Sequence, residues 1–198
     1  MRQLADELCS KSSKSEAELA SGEIMKLNQS ALANLVRNLT NDGLDEKAKK
    51  RYYSAASLCF NANVRYAYLQ LLSRNLSNES VTAELNRTAE LIKELSKAYN
   101  QVRTLTDLQI RGVIAERFTE AGELLDAAKE DFGNNSFEDG LYKLGYANER
   151  VSSAVAWAKF LSPKGSGQSK LSSDSLQQGC ILKLQEAEEH VQYLNLYL

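Results

Sequence analysis

Proline occurs once in this 198-residue chain, where average usage would place about ten. The residue that breaks helix interiors and sets turns is nearly missing, which argues against a loop-rich fold and for long helices with few connections. Histidine also occurs once, as His190, and the three cysteines, Cys9, Cys59 and Cys180, are too far apart for any CxxC pair. A zinc site of the usual kind draws on four ligands with local pairing, so no metal and no other cofactor is expected. The formal charge is only -2, from 24 basic and 26 acidic residues. That is too weak a field to gather nucleic acid or anionic lipid, so neither is expected as a partner. No apolar run approaches the length of about eighteen residues that spans a bilayer, so this segment is not expected to insert into a membrane. The polar N-terminus is unlike a signal peptide, and Met1 is either a native start or the first residue of a piece.

Catalytic patterns are equally sparse. Gly165-Ser166-Gly167 lacks the strand and helix that would set a nucleophile, and Gly165 to Lys170 lacks the spacing of a phosphate loop. Glu116 with Glu120, and Glu186 with Glu189 and His190, are neighbours on helix surfaces. Position 187 is alanine, so the Glu-x-x-His motif of di-iron bundles is absent. Lys47, Lys49, Lys50 and Arg51 are interleaved with Asp45 and Glu46 and read as a solvated helix face. Tyr52, Tyr53, Tyr66, Tyr68, Trp157 and Phe160 recur at helical spacing and read as core. Cys59, in an apolar run, reads as a small buried hydrophobe, while Cys9 and Cys180 receive no role.

What is present is a period of three to four residues. Leu4, Leu8, Leu19, Ile24, Leu27, Ala31, Leu35 and Leu39 predict a first amphipathic stretch ending near Gly43, in the left-handed position that closes many helices. Asp45 would cap a second helix running through Tyr52, Ala55, Cys59, Ala62, Tyr66 and Leu69, with Asn75 to Asn78 as punctuation. Ser80 to Phe132 would be about 75 Å long as one helix, so a break is expected near Thr104 to Asp107, capped by Thr106 or Asp107. Ser136 opens another helix through Leu141, Leu144, Val151 and Trp157. The expected architecture is an all-α, antiparallel helical bundle of five to six helices in a single domain, 1–198. It comprises hairpin-like halves at about 23–78 and 107–162, a flexible loop at 162–171 and a C-terminal helix at 173–197.

The two halves echo each other at an offset of 85 positions: Tyr52 falls on Phe137, Ala62-Asn63 on Ala147-Asn148, and Arg65 on Arg150. The repeated Asn63, Arg65, Asn148 and Arg150 admit two readings. They form polar contacts in a packed interface or a binding groove, or the asparagines bond to local backbone or water while the arginines cover the rim.

Asn-x-Ser/Thr acceptors begin at Asn28, Asn38, Asn75, Asn78, Asn86 and Asn134. Composition alone would give about two such sites. The excess points to an extracytoplasmic setting, with simple richness in Asn and Ser as the alternative. The segment Arg51-Tyr-Tyr-Ser-Ala-Ala-Ser-Leu-Cys-Phe-Asn-Ala-Asn-Val64 resembles the helical region that follows the peptidase domain in archaeal Lon-type (S16 family) serine protease-like proteins. The resemblance implies a secreted or membrane-tethered parent whose α/β domain holds a Ser-Lys dyad. Nothing in this chain matches that family's Pro-Ser-Ala-Gly type of nucleophile loop, so no catalytic residue is carried over. The expectation is a non-catalytic protein-interaction or assembly module that contacts its own protease domain or other subunits. The alternative is a stand-alone helical-repeat adaptor that holds a peptide or partner helix.

Overall fold

The computed structural model describes residues 1–20, 30–74, 76–99, 102 and 104–161, together with 172, 174, 177, 178, 180, 181 and 184. Within them the chain is an all-α bundle: α1 (Arg2–Ala20), α2 (Ser30–Ala48), α3 (Tyr52–Ser73), α4 (Asn78–Ala98), α5 (Leu105–Gly133) and α6 (Phe137–Ala158). Among the described residues there is no strand. The loop expected at 162–171 lies outside the described residues, as does most of the expected C-terminal helix at 173–197.

The echo in the sequence is an echo in space. α3 packs most closely on α2, and α6 on α5. α2 buries Ala33, Val36, Thr40 and Gly43, and α5 buries Phe118, Ala121, Leu125 and Ala128, each 85 positions later. The turns between the helices also match. Arg51 N–H donates to the Glu46 carbonyl at 2.9 Å and Lys50 N–H to that of Lys47 at 2.9 Å. In the second copy Ser136 N–H donates to Asp131 at 2.8 Å and Asn135 N–H to Phe132 at 3.3 Å. These paired bonds form the Schellman closure, which requires a left-handed residue after the helix. Lys50 at φ 62° and Asn135 at φ 61° supply it. α3 and α6 each run for 22 residues.

A first helix completes each half, α1 against α3 and α2, and α4 against α5 and α6. α3 and α6 then join the halves in an antiparallel crossing: Phe60 meets Tyr146 with ring centroids 5.9 Å apart, and Tyr68 meets Tyr142 at 5.6 Å. Gly145 makes the crossing close, because a Cβ there would lie 3.0 Å from the Tyr68 backbone nitrogen. The second half has one continuous apolar core from Val81 and Leu85 through Ile114 and Leu125 to Leu144 and Val151. The first half divides its core between Leu4, Leu8 and Cys59 at one end and Leu19, Val36, Tyr66 and Leu69 at the other.

Several local expectations are corrected. Gly43 does not end a helix; it sits inside α2, where a Cβ would fall 2.5 Å from the Cys59 sulfur. Close approach of α2 to α3 selects this glycine, and the left-handed position falls seven residues later at Lys50. Asp45 accordingly lies near the end of α2 and does not open α3. The break between α4 and α5 falls near its expected place, but Thr104 is the cap: its hydroxyl accepts from Asp107 N–H at 3.0 Å while Asp107 accepts from Thr104 N–H at 3.0 Å. This reciprocal pair satisfies two amides that a helix start leaves open. Cys59 is buried as expected, but it is not a lone hydrophobe: it is disulfide-bonded to Cys9, tying α1 to α3.

Candidate functional site

The four repeated polar residues do not converge on one site. Asn63 is buried, and its amide donates to the Leu8 carbonyl of α1 at 3.2 Å. Asn148, its counterpart, accepts from the Thr88 hydroxyl of α4 at 2.8 Å. The asparagine at the same position of each half therefore fastens that half's first helix, so both are interhelix contacts and neither is a purely local bond. Among the described residues Arg65 bonds back along its own helix, to the Asn61 carbonyl at 3.3 Å. Arg150 departs from this pattern and belongs to a groove.

That groove, of about 360 Å³, opens where α1, α3, α5 and α6 meet. Its floor is aromatic: Arg150 lays its guanidinium 4.8 Å from the Phe60 ring centre and 5.1 Å from that of Tyr146. Its Nη2 also donates to the Tyr146 hydroxyl at 3.0 Å. Arg117 enters from α5 and donates to Glu120 Oε2 at 2.9 Å, the same oxygen that lies 3.0 Å from Arg150 Nε. Two guanidinium groups thus share one carboxylate, and the groove keeps an excess of positive charge beside rings whose π faces favour cations. Leu4 and Leu8 of α1 form one wall, Trp157 closes another, and Tyr53 stands on the rim with 78% of its surface exposed.

A second depression, of about 440 Å³, lies between α3, α4, α6 and the far end of α1. It is strongly charged. Glu84, mostly buried, pairs with Arg74 at 2.6 Å and Arg87 at 3.4 Å, linking α3 to α4. Glu149 beside it receives two bonds of 2.7 Å from Lys11. Arg74–Glu84 and Lys11–Glu149 cross between helices, while Arg87–Glu84 stays within α4. Tyr66 donates to Glu18 nearby, and burial, followed by that carboxylate, raises the phenol above its ordinary value of 10.0.

Among the described residues no group of three or more His, Cys, Asp or Glu side chains is placed to hold a metal ion. No described helix is long and apolar enough to cross a membrane. Of the groove, the sequence pointed to Arg150 and, beside it, Glu120; Tyr53 and Trp157 were expected in the core, but Tyr53 is exposed on the rim, and Arg117, Phe60 and Tyr146 were missed. The available signal was Tyr146 one helical turn before Arg150; the other residues come from separate helices that no spacing connects. No family model, curated protein or solved structure matches the chain.

Proposed function

We propose that this chain is a non-catalytic helical interaction module whose partner docks on the groove between the two halves. One observation carries the reading: an exposed tyrosine, a tryptophan and two arginines gather at one concave place, and these residue types dominate binding energy where proteins meet. Tyr53, at 78% exposure, has no packing role in the bundle that would account for it. The resemblance around Arg51 to Val64 supplies the candidate partner, the peptidase domain of a Lon-type parent protein.

Calorimetry between the chain and the peptidase domain encoded with it tests this reading. Binding is expected, with Tyr53→Ala and Arg150→Ala each weakening it about tenfold or more, a loss of about 1.4 kcal/mol or more. A chain that shows no binding at roughly 100 μM, equivalent to less than about 5.5 kcal/mol of affinity, defeats it. Incubation with casein is expected to leave the substrate intact, and serine-inhibitor-sensitive cleavage would reverse the non-catalytic assignment.

The same proposal places the chain outside the cytoplasm. The Cys9–Cys59 disulfide and the excess of Asn-x-Ser/Thr acceptors support it, since persistent disulfides belong to oxidising compartments. Protein taken from its own cells and alkylated without reduction should show one reactive thiol, that of exposed Cys180. Three reactive thiols would place the chain in a reducing compartment.

A further inference from the structure

Of the six acceptor asparagines, Asn28 and Asn75 lie outside the described residues, and the remaining four, Asn38, Asn78, Asn86 and Asn134, are all exposed. Their hydroxyl partners separate them. Thr40, which completes the motif at Asn38, is buried, donates to the Val36 carbonyl at 2.9 Å and meets the Ser12 hydroxyl at 2.6 Å. Thr88, which completes the motif at Asn86, is buried and holds Asn148. Packing explains both threonines, so those two motifs follow from the fold. Packing does not explain the other two serines. Ser80 is exposed and reaches only as far as the exposed Ser77 hydroxyl, at 3.1 Å. Ser136 precedes α6 without making a side-chain cap.

Asn78 and Asn134 also belong to neighbouring ends of α4 and α5. Asn78 begins α4, and Asn134 follows the end of α5. Asn78 and Gly133, the residue before Asn134, both line a shallow groove of about 350 Å³ whose apolar floor is Val81, Leu85 and Phe132; Asn86 lines it as well, but its motif is the one whose Thr88 the packing already explains. This face belongs to α4 and α5 and includes none of the residues that line the groove at Arg150.

We propose that Asn78 and Asn134 are a pair of N-glycan acceptors whose sugars cover this α4–α5 face, leaving the Arg150 groove open. The inference rests on the extracytoplasmic reading above. In the transfer, the amide nitrogen of asparagine bonds to the anomeric carbon of a lipid-phosphate-linked oligosaccharide. The bond from that carbon to the phosphate oxygen breaks, the lipid phosphate leaves with the electron pair, and one amide proton passes to a base of the transferring enzyme. Each modification places a bulky solvated group where both asparagine side chains already face water.

The test is site-resolved mass spectrometry of the full chain purified from its own cells, alongside Asn78→Gln and Asn134→Gln chains from the same cells. Sugar is expected on both asparagines. Each substitution should remove the mass of one glycan and leave the far-ultraviolet spectrum unchanged, because both positions are exposed. A bare asparagine at either position in the unsubstituted chain overturns the proposal. Counting free thiols in the same sample distinguishes the two failures. One thiol with bare asparagines defeats the glycan pair alone, and three thiols defeat the extracytoplasmic reading with it.

Discussion

Lys50 and Asn135 hold the same left-handed backbone conformation, at φ 62° and 61°, one repeat apart. Asparagine tolerates this region through its short polar side chain, whereas lysine adopts it only at a steric cost. The first turn is therefore the strained copy. Lys50→Gly should raise stability by about 0.5–1 kcal/mol, measured by urea titration, while Asn135→Gly should gain less. A loss at position 50 would contradict the closure described for α2.

The disulfide closes a span of 50 positions between α1 and α3. In the chain-entropy account, a loop of that size contributes about 4 kcal/mol by restricting the unfolded chain. Replacing both Cys9 and Cys59 by alanine should lower the unfolding free energy, measured by urea titration, by a comparable amount. A change below about 1 kcal/mol would show that α1 is held by packing alone.

Gly43 and Gly145 mark two of the close approaches between helices. A Cβ on Gly145 meets the Ala67 and Tyr68 backbone, which cannot rotate away, and a Cβ on Gly43 meets the Cys59 sulfur. Gly145→Ala and Gly43→Ala should each cost about 1–3 kcal/mol despite the higher helix propensity of alanine. Gly122→Ala is the control: nothing lies within 4 Å of its Cβ position, so helix propensity should make it neutral or stabilising.

Tyr66 is expected to contribute to an alkaline limit. Burial and then the Glu18 carboxylate raise its phenol in the fold, so the neutral form is the one the fold favours. Its contribution is complete below the unfolded value of about 10 and is lost as pH rises through the higher folded value. Tyr68 shifts in the same direction, through burial first and then Glu138 and Asp139. The thermal midpoint should decline above about pH 10, and Tyr66→Phe should reduce that decline. An unchanged slope would remove Tyr66 as its cause.

Asn148 holds α4 through Thr88. Asn148→Ala should cost about 1 kcal/mol, and Thr88→Val combined with it should add little, because each removes the same bond. Additive losses in the double-mutant cycle would argue against their coupling.

The helices were legible because apolar residues recur every three to four positions, and the repeat was legible because Ala-Asn-x-Arg stands at the same place in both halves. In the fold Asn63 and Asn148 tie helices together, Arg150 lines a groove, and Arg65 bonds along its own helix. Three features were hidden. Gly43 carries the same letter whether it ends a helix or admits a neighbour, and only the position of Cys59 decides between the two. Cys9 and Cys59 pair across helices, a relationship that spacing does not encode. Arg117 reaches Arg150 only through the shared carboxylate of Glu120, which the fold of α5 on α6 brings about.

The halves are alike in outline but not in their fastening. Where the first has Gly43 against Cys59, the corresponding positions of the second hold Ala128 and Leu144, an all-carbon contact indifferent to electron donors. A thiol reagent therefore has purchase on one arm only. The rod it would untie is α1, whose Leu4 and Leu8 form a side of the recess around Arg150, so reduction would leave that wall held by non-covalent contacts alone.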